Sequence, residues 1–230
     1  MHFNDLWWSF LLLAVGSYLI GSISFARIIS AAKKKDITKI GSGNPGTMNM
    51  SREFGMKVGI LTFVLDVSKG ALPALFAKLV FAGMYFGDSP LEVGMTAQYI
   101  AGFFAVVGHI FPVFYKFKGG KGVATVAAMI LTLDPLCFLI LAVIFLLLVA
   151  ATRYVSLGSV ICMMLYPIVT YKLATHGSIG FPVLFSFIVA ALIIFMHRGN
   201  IERLRNHTEN KISFSKKRGK AKGDTDGKKK

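Results

Sequence analysis

Stretches of about 20 mostly apolar residues, the length a helix needs to cross a bilayer, recur along this chain between short polar segments. The first runs from Trp7 to about Ser30, with Trp7 and Trp8 placed as interfacial anchors. Residues 31–58 are polar. Further apolar runs follow from Gly59 to about Phe86, from Val93 to about Phe114, and over Leu136–Thr152, Leu157–Leu173 and Phe181–Met196. Val123–Leu133 is also apolar, but at 1.5 Å per residue it is only about 16 Å long. It is expected as a short, locally thinned or re-entrant piece. Counting it, the pattern predicts an all-α, polytopic integral membrane protein of about seven transmembrane helices.

The charges orient this set. The connections at 31–58, 115–122 and 153–156 and the C-terminal segment fall on one side and hold the loop Lys and Arg residues. The opposite connections, 87–92, 134–135 and 174–180, hold Asp88, Glu92, Asp134 and His176. Cytoplasmic loops carry the excess of cations, so the N-terminus is expected outside and the C-terminus in the cytoplasm. Asp5 is the only formally charged side chain before Arg27, so the first run lacks the cationic start of a removable signal peptide and is expected to remain as a helix. Residues 1–212 are expected to form the membrane-embedded unit and 213–230 a basic, disordered tail.

Composition agrees with the pattern. Charged residues make up 16% of the chain, against about 25% in a soluble domain, and mean hydropathy is +0.62. The net charge of +15 lies in loops and tail, where it points to topology and to anionic membrane lipid rather than to nucleic acid. Cys137 and Cys162 sit in apolar runs with no metal or redox spacing, and no cofactor or metal is expected. No internal repeat is evident, which argues against an inverted-repeat transporter.

The topology brings four polar segments to one surface: Ser42, Asn44, Asn49 and Arg52; the loop around Lys116, Lys118 and Lys121 with Gly119, Gly120 and Gly122, and His109 upstream; Arg153 and Ser156; and His197, Asn200, Arg203 and Glu209. Cations, bare backbone N–H groups and the start of a helix at Val123 suit phosphate. The loop is not a nucleotide P-loop, since no Gly-Lys-[Ser/Thr] occurs in it, and ATP is not implied. Asp66 and Lys69 share a helix face at i,i+3 and are expected to neutralise each other or to face the protein interior. Glu209 is expected to pair with Arg203 or Lys211, and Arg27 to snorkel to the headgroups.

Three blocks of residues carry a resemblance. They are Gly41-Ser42-Gly43-Asn44-Pro45-Gly46…Asn49…Arg52, then Gly108-His109…Phe111-Pro112…Lys116-Phe117-Lys118-Gly119-Gly120-Lys121-Gly122, then His197…Asn200…Arg203…Thr208-Glu209. In order and spacing they resemble the signature motifs of the bacterial acyl-phosphate:glycerol-3-phosphate acyltransferases. Two positions depart from that pattern: Met48 stands where a hydroxyl residue is usual, and His207 where glycine is usual. The resemblance implies a seven-helix enzyme of the bacterial plasma membrane working at the cytoplasmic face. It would move a fatty acyl group from acyl phosphate to the 1-hydroxyl of sn-glycerol 3-phosphate, giving lysophosphatidic acid and phosphate. An acyl-phosphate-producing enzyme is the matching partner. The His-x4-Asp pattern of the other large group of glycerol phosphate acyltransferases is absent.

On that basis Gly119, Gly120 and Gly122 with Lys118 and Lys121 are expected to bind acyl phosphate. Arg52, with Ser42, Asn44, Arg153 and Ser156 as neighbours, is expected to bind the glycerol phosphate group. Asn200 and His197 are expected to orient the attacking hydroxyl. His197 or the donor's own phosphate takes the proton, and an acyl-Ser42 intermediate is a third route. The competing class is a membrane transporter for an organic phosphate, and a third reading is a lipid-binding scaffold.

Overall fold

A computed structural model describes residues 3–84, 93–173 and 180–212. Among them there are α-helices and one 3-10 turn, and no strand. The helices are α1 (Phe3–Ser22), α2 (Phe25–Ala32), α3 (Thr47–Phe54), α4 (Met56–Val80), α5 (Val93–Ile110), α6 (Val123–Leu133), α7 (Pro135–Thr152), α8 (Val155–Leu173), α9 (Phe181–Met196) and α10 (Arg198–Arg205). The 3-10 turn is Val113–Tyr115. Five stretches are long and apolar enough to cross a membrane, six if α9 and α10, bent by 58° at His197, form one span. The eleven-residue α6 is shorter, as its apolar run predicts. Asp88, Glu92, His176 and the tail 213–230 lie outside the described residues.

The first apolar run contains a break the sequence pattern does not show. Helix geometry lapses at Ile23–Ser24, and the Ile23 carbonyl accepts a hydrogen bond from Lys69 Nζ of α4 at 3.0 Å. A side chain inserted into a helical ladder is a standard cause of such a break. The run 31–58, read as a polar connection, holds α3, and its Ile37 and Met50 form a small core with Ala26 of α2.

The bundle is assembled around α5. Burial covers 61% of its span but only 17% of α7. Glycines make the approach possible: a Cβ on Gly21 of α1 would run into the Ala105 carbonyl of α5, and one on Gly108 of α5 into that of Tyr18. In hydrocarbon, helix association rests on this close packing because lipid tails are as apolar as leucine. The main core joins Val106, Met129, Ile130, Leu141, Met163 and Ile193, with Tyr99 edge-on to Phe185 at 4.7 Å. Leu72, Leu79, Leu146, Leu147 and Phe187 stay exposed, as lipid-facing side chains do.

The short helix α6 lies inside the bundle. Its Thr125 hydroxyl donates to the Asp66 carbonyl of α4 at 3.2 Å, and a Cβ on Gly70 would meet Thr125 backbone. Because α6 is short, its N-terminus lies where the cation-bearing connections meet.

Candidate active site

The first polar segment is shaped by Asn49, which is buried. Its amide nitrogen donates to the Ile37 and Ile40 carbonyls at 3.2 and 3.1 Å, and its oxygen accepts the Ser42 N–H at 3.0 Å. Gly41 turns at φ +58° against that amide, where a Cβ has no room. The segment so folded presents Ser42, Asn44, Thr47, Met48 and Arg52 to a cavity of about 470 Å3.

The second segment delivers less to the cavity than its composition suggests. Lys121, Gly122, Val123 and Ala124 line it, and Lys118, Gly119 and Gly120 do not. The N–H of Gly119 donates to the Ile110 carbonyl at 3.0 Å and that of Gly120 to the His109 carbonyl at 3.1 Å, so neither is free for a ligand. These glycines fit the loop against the end of α5: a Cβ on Gly119 would meet the His109 carbonyl, and one on Gly120 the His109 ring. The left-handed conformations fall on Lys116 (φ 54°), Phe117 (φ 58°) and Gly122 (φ 80°). Lys118 is exposed and contributes its carbonyl to Arg27. The expected cradle of three glycines and two lysines therefore reduces to Lys121, Gly122 and the first turn of α6.

From the third segment Ser156 reaches the cavity and Arg153 does not. Arg153 is an exposed left-handed cap of α7 (φ 63°) whose carbonyl accepts the Ile212 N–H at 2.8 Å. The fourth segment supplies His197, Asn200, Arg203 and Glu209. After α10 the His207 N–H donates to Leu204 O and the Thr208 N–H to Arg203 O, the paired bonds of a Schellman ending. His207, at φ +55°, occupies the left-handed position where glycine is usual, and the turn carries Glu209 back over the site.

Glu209 is the hub. Its carboxylate accepts from Ser156 Oγ at 3.0 Å, Asn200 Nδ2 at 2.8 Å and Arg203 Nε at 2.7 Å. Burial pushes its pKa up, but these hydrogen bonds outweigh that and leave it below the usual value. The pairing with Arg203 agrees with the sequence expectation, whereas the bonds to Ser156 and Asn200 were not legible there. With Asn200 Nδ2 turned to Glu209, Asn200 Oδ1 accepts from Lys121 Nζ. Burial, with Arg203 and Arg52 nearby, lowers the Lys121 pKa to about 8, so the ammonium remains charged at neutral pH. His197 Nδ1 bonds the Ile193 carbonyl at 2.8 Å, leaving Nε2 as the acceptor. Burial lowers the His197 pKa to about 4.

Two ionisable residues of the spans, Asp66 of α4 and His109 of α5, also line the cavity. Asp66 is paired with Lys69 at 2.8 Å, and His109 Nδ1 lies 3.7 Å from Asp66. Phe63, Phe145, Leu146, Val149, Val155 and Ile212 give the wall an apolar stretch, with Ser159 and Asn210 also in the lining. A second hollow of about 540 Å3 shares Ser42, Asn44, Lys121, Asn200 and Arg203 with the first and adds Arg198 and Glu202. With Asp66 balanced by Lys69, the first cavity holds, among the described residues, Arg52, Lys121 and Arg203 against Glu209 alone.

The model of the glycerol-3-phosphate acyltransferase family matches residues 11–207. The glycerol-3-phosphate acyltransferase of Chlorobaculum tepidum is 38% identical over 91% of this chain and 99% of its own length. That of Syntrophomonas wolfei is 43% identical over 87% and 96%. The crystal structure of PlsY (YgiH), an integral membrane glycerol 3-phosphate acyltransferase, in its glycerol 3-phosphate form is similar with a TM-score of 0.78. Identity there is 35%, over 89% of this chain and 96% of that one. The lysophosphatidic acid form of that protein gives a TM-score of 0.75 at 34% identity.

Proposed function

From the premise that this chain belongs to the glycerol-3-phosphate acyltransferase family, we propose that it transfers a fatty acyl group from acyl phosphate to the 1-hydroxyl of sn-glycerol 3-phosphate. The products are lysophosphatidic acid and inorganic phosphate. The observation that carries this reading is the composition of the cavity: an excess of cations suited to phosphate dianions, beside an apolar wall suited to an acyl chain.

Lys121 and the first turn of α6 hold the donor phosphate, where helix N–H groups and the dipole favour an anion. Arg52, with Ser42, Asn44 and Ser156, holds the phosphate of the acceptor. Asn200 and His197 orient the hydroxyl. Its oxygen attacks the acyl carbon of the mixed anhydride, and the bond from that carbon to the phosphate oxygen breaks. Phosphate leaves with the electron pair. Burial keeps His197 neutral and a weak base, whereas the donor's phosphate gains negative charge and basicity as the anhydride bond breaks. The donor's phosphate is therefore the better proton acceptor, and His197 Nε2 fixes the hydroxyl's direction. Because the anhydride is already activated, positioning and charge neutralisation supply the catalysis.

On this reading residues 1–212 are the catalytic unit and the tail 213–230 meets anionic lipid. Seven helical pieces cross or enter the bacterial plasma membrane, with the N-terminus outside and the site facing the cytoplasm. The test is purified protein supplied with acyl phosphate and labelled glycerol 3-phosphate. Labelled lysophosphatidic acid and free phosphate are expected in equal amounts, with much less product from acyl-CoA. Folded protein that yields none overturns the reading.

A further inference from the structure

The segment between α5 and α6 displays side chains that a solvated loop hides. Val113, Phe114 and Phe117 are 41%, 60% and 58% exposed, and Lys116 and Lys118 are exposed among them. Backbone hydrogen bonds hold the display in shape. The N–H groups of Tyr115 and Phe117 donate to the Pro112 carbonyl at 3.1 and 3.0 Å, and that of Lys118 to Tyr115 at 3.1 Å. Lys116 and Phe117 both take the left-handed conformation, which L residues rarely adopt, and Phe117 is exposed there. Two side chains from the first apolar run tie the segment down. The Tyr18 hydroxyl donates to the Phe111 carbonyl at 2.7 Å. Arg27 Nη2 donates to the Lys118 carbonyl at 2.6 Å, with its guanidinium 4.9 Å from the centre of the Tyr115 ring. Beside Arg27, α2 exposes Ile28 and runs into the exposed Lys33 and Lys34.

These side chains lie beyond the ends of α1 and α5, at the end of the bundle where the cation-bearing connections meet. Apolar side chains at mid-span face acyl tails, but this level faces headgroups. Aromatic rings settle at that boundary, and lysines beside them are drawn to anionic lipid. Val113, Phe114, Lys116, Phe117, Lys118 and Ile28 do not line the catalytic cavity, so the reaction gives no reason for their exposure. We propose that residues 113–118, with Ile28, Lys33 and Lys34, form an interfacial platform that engages anionic phospholipid. The rings enter the boundary between headgroups and acyl chains, and the ammonium groups meet headgroup phosphates. Because the platform leads directly to Lys121, it holds that end of the site at the membrane surface.

The test uses the full chain with Trp7 and Trp8 replaced by Phe and with Phe117→Trp, reconstituted in phosphatidylcholine vesicles with and without phosphatidylglycerol. The new tryptophan is expected to emit in the blue, to resist aqueous iodide, and to be quenched by lipid brominated near the carbonyl end of its chains. Comparing brominated phosphatidylglycerol with brominated phosphatidylcholine gives the local headgroup preference. It should be several-fold for the anionic lipid, up to roughly fivefold for each lysine. Lys116→Gln with Lys118→Gln should bring it close to one. Iodide quenching without lipid quenching would assign the face to water or to a protein partner and overturn the platform. Equal quenching by the two lipids before the lysines are changed would overturn the headgroup recognition. Monodisperse elution of each variant confirms folding before it is scored.

Discussion

The cluster of Asp66, Lys69 and His109 and the cluster of Lys121, Asn200, Arg203 and Glu209 border the same cavity but use charge differently. In the first, a buried carboxylate and a buried ammonium cancel at 2.8 Å, and both are tied to architecture: Lys69 to the Ile23 carbonyl at the helix break, Asp66 through its own carbonyl to Thr125 of α6. In the second, one carboxylate is shared by a hydroxyl, an amide and a guanidinium, and Lys121 is bonded only to the neutral Asn200 oxygen among the partners described. In the first, the Asp66–Lys69 pair is charge-balanced without a ligand, while His109 Nδ1 stays buried without a hydrogen-bond partner among the described residues. The second holds an excess of positive charge in a hollow, the electrostatics of an anion site. Balanced charge inside a span therefore marks construction here, and unbalanced charge at helix ends marks the site.

Breaking the balanced cluster should have the largest effect. Asp66→Leu strands a buried ammonium, and losses of about 3–5 kcal/mol are typical when one partner of a buried pair is removed. Thermal unfolding in detergent should show a large drop. Adding Lys69→Met to the same protein should recover most of it, because the stranded charge is gone. If the double variant is as unstable as the single one, the pair has a role beyond charge balance.

Lys121→Ala should leave unfolding nearly unchanged and lower kcat/KM about a hundredfold, close to 2.7 kcal/mol. The same lysine sets a pH limit. Its pKa is lowered to about 8, so kcat/KM, which reports the free enzyme, should fall as pH rises through that value and the ammonium loses its proton. In Lys121→Arg the fall should disappear from that range. A basic limb at the same pH in the arginine variant would assign the ionisation elsewhere.

Gly120 joins the two clusters, since it packs on His109 and precedes Lys121. Gly120→Ala forces Cβ into the imidazole, an overpacking of about 1–3 kcal/mol. With its N–H already bonded to the His109 carbonyl, the change should disturb both substrates alike. A rise in KM confined to acyl phosphate would instead restore direct donor contact at this glycine.

Asn200 separates hydrogen bonding from charge within the open cluster. Asn200→Asp sets a second carboxylate against Glu209, which lies 2.8 Å from the present amide nitrogen. It should be worse in kcat/KM than Asn200→Ala, by about tenfold. The reverse order would make Asn200 a turn residue, where Asp serves well. The smallest change is expected at His207. His207→Gly relieves a left-handed residue of α10's Schellman ending and should stabilise the fold by up to about 1 kcal/mol, with kcat unchanged.

Much of this arrangement was legible without coordinates. Apolar run lengths located α6 and α9 at their observed ends, because burial of backbone polar groups in lipid leaves helix as the available form for such runs. Alternation of cationic and cation-free connections brought the four polar segments together, because the number of spans between two loops determines whether they share a side. What each residue does there was less legible. Loop glycines read as a phosphate cradle, but the same residue type serves free N–H groups and tight packing, and the choice depends on where the end of α5 lies. Arg153 points out and Ser156 in because α8 begins between them. Asp66 and His109 reach the cavity because α6 is too short to cover them.

The sequence by itself determined a helical membrane protein, the gathering of its polar segments at one end of the bundle, and the reaction class carried by its motifs. These follow from local composition and from parity along the chain, which need no knowledge of distant contacts. Only the tertiary structure decided that Glu209 organises Ser156, Asn200 and Arg203, that Lys121 rather than Lys118 faces the hollow, and that Gly119 and Gly120 serve packing. Each of those is a meeting of side chains from different helices, and its geometry depends on how closely the helices approach, which the order of residues along one of them does not encode.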